Sequence, residues 1–81
     1  MRVVNYSDFE GAVNKSDNVI FDFKLFDIPS TMRRNIKMCS QLGATAVTIA
    51  DNPLNQLGIH EALKAGQDYD IGIIIGQHRG A

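Results

Sequence analysis

The chain has 81 residues, of which 44% are hydrophobic, and a formal net charge of −1. That length suits one small domain, which would bury only about 60–65% of its unfolded surface. A charge near zero gives no basis for a nucleic-acid partner or a lipid surface, and the single cysteine excludes an internal disulfide. The sequence has neither the apolar run of a signal peptide nor a membrane-spanning stretch, so we expect one domain over residues 1–81 in the cytoplasm.

The first part of the chain predicts a short strand and a short helix. Residues 2–5 favour a strand. Ser7 or Asp8 could cap a brief helix that runs through Phe9 to Val13 and ends in the polar run 14–18.

Residues 19–24 predict a strand with charges on one face. Alternation places Val19, Phe21 and Phe23 on one face and Ile20, Asp22 and Lys24 on the other. Asp22 and Lys24 are then neighbours, about 7 Å apart along the strand. One interpretation is an ion pair on a solvated face. The other is a reactive pair, because Asp27 and a helix start at Pro29 follow, and α/β proteins place their chemistry at this end of a strand.

A helix is predicted over residues 29–42, with Gly43 placed to end it. Its polar side carries Arg33, Arg34 and Lys37, which are typical of a solvated face. Cys39 is expected to be a small buried residue rather than a nucleophile.

The remainder predicts strand, helix and strand. Residues 45–50 favour a strand, and a helix through Leu54 and Leu63 is expected to end at Gly66, with His60 at or near the surface. The run 70–76 is almost continuously apolar, which is typical of a strand buried on both faces.

The clearest strands begin near residues 19, 45 and 70, a spacing of 26 and 25 residues. This cadence predicts repeated βα units in the order β-α-β-α-β-α-β, with four parallel strands and three helices. A closed (β/α)₈ barrel needs eight strands and roughly 250 residues. The predicted fold class is therefore α/β, a partial (β/α)₈ TIM barrel of about half the full size, or half-barrel.

Residues 22–31 read Asp-Phe-Lys-Leu-Phe-Asp-Ile-Pro-Ser-Thr. This stretch resembles the D-x-K-x-x-D-I-P-x-T signature of the orotidine 5′-phosphate decarboxylase family, and it matches all six specified positions. The D-x-K-x-x-D core is shared with sugar-phosphate decarboxylases and synthases of the same barrel suite, whereas I-P-x-T points to the orotidylate enzyme. From about Val19 to Ile75 the order of elements is also similar to the segment from the second to the fifth barrel strand.

The resemblance implies a lyase of pyrimidine biosynthesis that removes CO₂ from C6 of orotidine monophosphate with no metal or organic cofactor. It implies that the Lys24 ammonium stabilises the charge that develops at C6 and then delivers the proton. Asp22 would keep that lysine charged and oriented, close to the substrate carboxylate.

The resemblance also implies a symmetric dimer with shared sites. Asp27 would be catalytic in the partner's site, with Ile28 and Thr31 near the nucleotide. The residues alone leave open a helix N-cap for Asp27 and an ordinary first-turn position for Thr31. Gln77, with His78 as the alternative, falls where a family loop contacts the pyrimidine.

Two departures from the family pattern limit the expected activity. Residues 3–7 resemble the K-x-N-Y-P sequence of the family's second strand, but Val3 stands where the lysine would be. The late phosphate-binding loops have no counterpart, and loss of remote phosphate contacts lowers turnover as well as affinity. We therefore expect no efficient decarboxylation by this chain alone, and a homodimer or a complementary barrel fragment as partner.

Two alternatives remain open. One is a non-catalytic half-barrel that self-associates through its open sheet edges. The other is a sugar-phosphate enzyme of the same suite, which would recruit Mg²⁺ through carboxylates. Ile28, Pro29 and Thr31 weigh against the second alternative.

Overall fold

A computed structural model describes residues 1–76 of the chain, apart from the side chain of Lys15. The strands are β1 (Arg2–Asn5), β2 (Val19–Leu25), β3 (Ala46–Ala50) and β4 (Gly72–Gly76). The α-helices are α1 (Pro29–Gln41) and α2 (Gln56–Asp68). Three 3₁₀ turns cover Tyr6–Asp8, Lys15–Asp17 and Pro53–Asn55.

The four strands form one parallel sheet in the order β1-β2-β3-β4. Each strand therefore pairs with its neighbours in the chain. Connections between parallel strands are right-handed, so a sheet that grows in one direction receives all its crossover helices on one face. This confirms the predicted α/β class and the parallel sheet. The four strands do not close on themselves, because β1 and β4 are the two edges.

The core lies between the sheet and the two helices. From the sheet it contains Val4, Val19, Phe21, Val47 and Ile49, and from the helices Met32, Ile36, Cys39, Ile59, Ala62 and Ala65. Alternation along the strands supplies the first set, and helical spacing supplies the second. Cys39 is buried as expected, and burial raises the pKa of its thiol to about 11.

No helix covers the other face of the sheet within residues 1–76, and we call it the open face. Parallel register places Val3 beside Ile20 and Thr48 beside Ile74 on this face. Val3 is 58% exposed and Ile74 is 40% exposed. The open face is thus partly apolar and is not covered by any described part of the chain.

The predicted first helix is wrong. Residues 6–18 instead form two 3₁₀ turns joined by an irregular segment. Gly11 has φ +123°, which is incompatible with a right-handed helix. The segment is fixed by a contact with the end of α1, since the N–H of Val13 donates to the carbonyl of Leu42 at 2.7 Å. Residues 1–76 therefore contain two α-helices where the sequence predicted three.

The end of α1 follows the prediction. Gly43 has φ +97°, its N–H donates to the Ser40 carbonyl, and the N–H of Ala44 donates to the Cys39 carbonyl. These two bonds form a Schellman motif, which uses glycine at this position because the backbone is left-handed.

Two further expectations need correction. Helix α2 does not end at Gly66 but runs to Asp68. Glycine occupies position 66 because the helix packs closely on β4 there, and a Cβ would lie 2.6 Å from the Ile73 side chain. Strand β4 is not buried on both faces, since it is an edge strand and Ile75 is 43% exposed. Both helices are 13 residues long, and within residues 1–76 neither has the length and apolarity that a membrane span requires.

Candidate functional site

Asp22 and Lys24 form a close pair near the carboxyl end of β2, on the open face. The Lys24 ammonium lies 3.3 Å from each of the two Asp22 carboxylate oxygens. The ring planes of Phe21 and Phe23 stack on each other at a centroid distance of 4.8 Å. The predicted division of this strand into an aromatic side and a charged side therefore agrees with these contacts.

A large bulge interrupts β2 at this pair. Phe21 pairs with Val47 and Leu25 pairs with Ile49, so three residues of β2 face a single residue of β3. Lys24 takes up this excess with φ +49°. A left-handed backbone costs an L-residue about 1–2 kcal/mol, and bulges near functional sites commonly redirect a side chain.

Thr48 is the β3 residue opposite the bulge, and its hydroxyl contacts both members of the pair. The hydroxyl donates to Oδ1 of Asp22 at 2.9 Å and accepts the Lys24 backbone N–H at 2.9 Å. Oδ1 of Asp22 thus receives hydrogen bonds from Thr48 and Lys24 together. The carboxylate is fixed from two directions.

Solvent exposure limits what this pair contributes to stability. The side chain of Lys24 is 53% exposed and that of Asp22 is 27% exposed. An exposed ion pair contributes about 0–1 kcal/mol to folding. The contribution of this ion pair to folding stability is therefore too small to explain why Lys24 keeps a left-handed backbone beside a fixed Asp22 carboxylate. An exposed ammonium held at a defined position is suited to interaction with an anionic or developing negative group.

Asp27 lies in the loop between β2 and α1, and its carboxylate accepts the backbone N–H of Ile28 at 3.1 Å. Ile28, not Asp27, is the N-cap residue of α1, so the N-cap alternative for Asp27 is wrong. The Asp27 carbonyl accepts a hydrogen bond from the Asn55 side chain at 2.8 Å, which ties this loop to the loop after β3. Asp27 engages its own loop and does not join the Asp22–Lys24 pair.

The residues expected near a nucleotide have different surroundings. Ile28 is 62% exposed, and Thr31 is half-buried in the first turn of α1. Other large apolar side chains are exposed in the two loops and the first turn of α2. We call this set the apolar rim, and it consists of Phe26, Ile28, Leu54 and Leu57. The predicted contact residue Gln77, like His78, lies outside the described residues.

The Asp22–Lys24 pair does not line either of two concavities in the described part of the chain. One concavity of about 360 Å³ lies beside β1 and is lined by Val4, Phe9 and Val13 among others. A second of about 360 Å³ lies beside β4 and is lined by Leu63, Ile71 and Ile73 among others. Within the described residues, no three His, Cys, Asp or Glu side chains are grouped as a metal site would need.

Of the basic residues on α1, Arg34 and Lys37 are exposed as predicted, whereas Arg33 is half-buried. Arg33 donates to Glu61 and lies 2.8 Å from Asp68, so it joins α1 to α2. Hydrogen bonds to Glu61 and Asp68 raise the pKa of the Arg33 guanidinium, and the bond from Arg33 lowers the pKa of Glu61. This cluster is structural. His60 is exposed, as expected.

Sequence reasoning missed Thr48 and Asn55. Thr48 shares one side of the predicted strand with Ala46 and Ala50, so the sequence pattern showed only a hydroxyl between two small residues. Its contact with the pair depends on the register between β2 and β3, which a single strand does not specify. Asn55 gave no signal, because it lies in a turn where asparagine is common.

Comparison with family models, with curated proteins and with solved structures returns no match to this chain. The resemblance over residues 22–31 therefore depends on the motif itself and on its structural setting.

Proposed function

We propose that this chain is an orotidine 5′-phosphate decarboxylase-like half-barrel that contributes the Asp22–Lys24 pair to a nucleotide site. The observation that carries the proposal is the 3.3 Å contact of the Lys24 ammonium with both Asp22 oxygens, at the carboxyl end of a parallel strand. Parallel α/β sheets bind ligands at this end of their strands. The motif resemblance supplies the reaction class.

In the proposed reaction, the bond between C6 and the carboxylate carbon breaks and its electron pair stays on C6. The Lys24 ammonium stabilises this charge and then donates a proton to C6. Asp22 holds the ammonium in place, and solvent returns the proton to the lysine. The products are uridine monophosphate and CO₂.

The surroundings of Asp27 support a dimer with shared sites. Ile28 is exposed beside the Asp27 loop, and the rest of the apolar rim is exposed on the same pair of loops. An exposed apolar patch near polar groups is typical of an interaction surface. In this proposal Asp27, Ile28 and Thr31 serve the partner's site.

The open face supports the proposal that the site is incomplete in the isolated chain. The Asp22–Lys24 pair lies on a sheet face without a described cover, and neither of the two concavities described above includes it. A nucleotide would be enclosed only when further βα units, from a complementary fragment or from a second copy, cover this face.

The test is a titration of the full chain with 6-azauridine monophosphate, in which calorimetry and amide chemical shifts measure binding. We expect weak binding that Lys24→Ala reduces at least tenfold and that Lys64→Ala, on the exposed side of α2, leaves unchanged. We also expect no turnover above that of Lys24→Ala. Equal affinity in wild type and Lys24→Ala would refute the role of the pair, and binding that requires Mg²⁺ would favour a sugar-phosphate enzyme.

A non-catalytic, self-associating half-barrel is the second candidate. It is favoured by the exposure of Val3 and Ile74 on the open face and by the edge positions of β1 and β4. Nucleotide binding distinguishes the two candidates, because this second function predicts none, with or without a complementary fragment.

A further inference from the structure

We infer that Thr48 is a positioning residue for the Asp22–Lys24 pair. It sets the orientation of the carboxylate and the backbone of the lysine through one hydroxyl. This inference rests on the proposed function for its effect on nucleotide binding, but not for its effect on Lys24.

The direction of both Thr48 hydrogen bonds is fixed by chemistry. A backbone N–H can only donate, so the hydroxyl oxygen accepts from Lys24 at 2.9 Å. The hydroxyl has one hydrogen, and this hydrogen is directed to Oδ1 of Asp22 at 2.9 Å. The hydroxyl therefore requires an acceptor at Oδ1, which is also a partner of the Lys24 ammonium.

The bulge explains why a side chain is needed here. The pairing of β2 with β3 stops at Phe21 and resumes at Leu25, so the Lys24 N–H has no strand partner of the ordinary kind. The Thr48 hydroxyl replaces that partner and holds the left-handed backbone at Lys24. Without this bond the lysine would be free to adopt an ordinary extended backbone, with its ammonium displaced from Asp22.

Two substitutions separate the hydroxyl from the shape of the side chain. Thr48→Val keeps the branched shape and the strand preference but removes the hydroxyl. Thr48→Ser keeps the hydroxyl and removes a methyl group. A role in packing alone would make serine the more damaging change, whereas positioning makes valine the more damaging one.

The first measurement is amide hydrogen exchange at Lys24 in the full chain without ligand. We expect Thr48→Val to exchange at least tenfold faster at this amide and Thr48→Ser to stay near wild type. Global stability, measured by urea unfolding, serves as the control. An unchanged Lys24 exchange rate in Thr48→Val would overturn the inference.

The second measurement is the affinity for 6-azauridine monophosphate. We expect Thr48→Val to weaken binding about fivefold, Thr48→Ser to restore it, and Thr48→Val to have no further effect in a Lys24→Ala background. Equal losses in the valine and serine variants would overturn the inference. If wild type binds no nucleotide, alone or with a complementary fragment, the proposed function fails, and the exchange measurement still decides the role of Thr48.

Discussion

Three non-glycine residues in the described chain have positive φ, and they differ in kind. Asn18 and Asp70 have φ +55° and +54° and lie just before β2 and β4. Asparagine and aspartate tolerate this conformation because their short side chains bond locally. Lys24, at φ +49°, has no such property and is held by Thr48. The unusual conformation thus coincides with the candidate site.

Gly43 is the residue at which we expect a small substitution to be most damaging. A Cβ at this position would lie 2.0 Å from the Val13 carbonyl oxygen, and the backbone has φ +97°. Gly43→Ala should lower the free energy of unfolding by about 1–2 kcal/mol for the left-handed backbone, and further because Val13 must move. Urea unfolding measures the loss.

Gly11→Ala is the matched control for that substitution. Gly11 also has positive φ, at +123°, but nothing lies within 4 Å of its Cβ position. Gly11→Ala should therefore lower the free energy of unfolding only by the cost of the positive-φ backbone, without a steric contribution. An equal loss in the two variants would contradict the close approach of Val13 to Gly43.

At the level of single residues, the sequence predicts side-chain direction but not the contacts made across strands. Alternation along β2 placed Asp22 and Lys24 on one face, and the two side chains meet. The bulge at Lys24 was not predictable, because it depends on the Thr48 hydroxyl of another strand. Asp27 has a local partner that a motif match does not reveal.

Among the elements, the two helices are joined by a polar cluster as well as by the core. Arg33 of α1 contacts Glu61 and Asp68 of α2, and its guanidinium lies 5.7 Å from the centre of the Tyr69 ring. The cluster fixes the relative position of the helices on the sheet. It also makes their association sensitive to the ionisation of Glu61.

The hydrogen bond from Arg33 lowers the pKa of Glu61 below its usual value of 4.5. A carboxyl group with a lower pKa in the folded state stabilises the protein above its unfolded pKa and loses this effect as the pH falls through the folded value. Wild type should therefore be more stable than Glu61→Gln at pH 7, and the difference should decrease as the pH falls below 4.5. Urea unfolding from pH 7 to pH 3 measures this difference.

Glu10→Gln is the control, because Glu10 is exposed and lies outside both helices. Its stability relative to wild type should change much less over the same pH range. A gap between wild type and Glu61→Gln that does not narrow as the pH falls from 7 to 3, or its absence at pH 7, would contradict the assigned ion pair.

Element prediction succeeded where periodicity and an end signal agreed. Helix α1 has regularly spaced Met32, Ile36 and Cys39 in its core and a glycine stop, and it was predicted within one residue. Residues 6–18 contain a possible capping residue but too few regularly spaced apolar residues to specify a helix. Their conformation depends instead on tertiary contacts with the end of α1. Gly66 was wrongly predicted to end α2, because close packing of the helix on β4, and not helix termination, requires a glycine there.

Over the whole described chain, one layer of helices covers one face of the sheet. The open face has Val3 and Ile74 exposed, and the edges of the sheet are β1 and β4. The number of strands was predictable from the repeat of βα units. What covers the open face was not, because a pattern of apolar residues specifies burial but not the partner.

The second candidate function, a self-associating half-barrel, predicts association through the open face. Ile74→Lys should lower the association constant at least tenfold, because a charge would be placed in the contact. Sedimentation velocity over a range of protein concentrations measures it. Leu63→Lys is the matched control, since Leu63 on α2 is 43% exposed and Ile74 is 40% exposed.

A monomer at every concentration, or an equal effect of the two lysine substitutions, would contradict association through the open face. A loss found only with Leu57→Lys would instead place the contact at the apolar rim, as the proposed dimer with shared sites requires.

The strand order β1-β2-β3-β4 repeats the order of synthesis. Each strand that leaves the ribosome can dock on the one made just before it, and no earlier pair has to open to admit it. The contacts between strands therefore span about one βα unit of sequence, which keeps the entropy cost of loop closure low for a parallel sheet. The same geometry allows the sheet to be lengthened by gene fusion at either edge while all existing pairs stay in place.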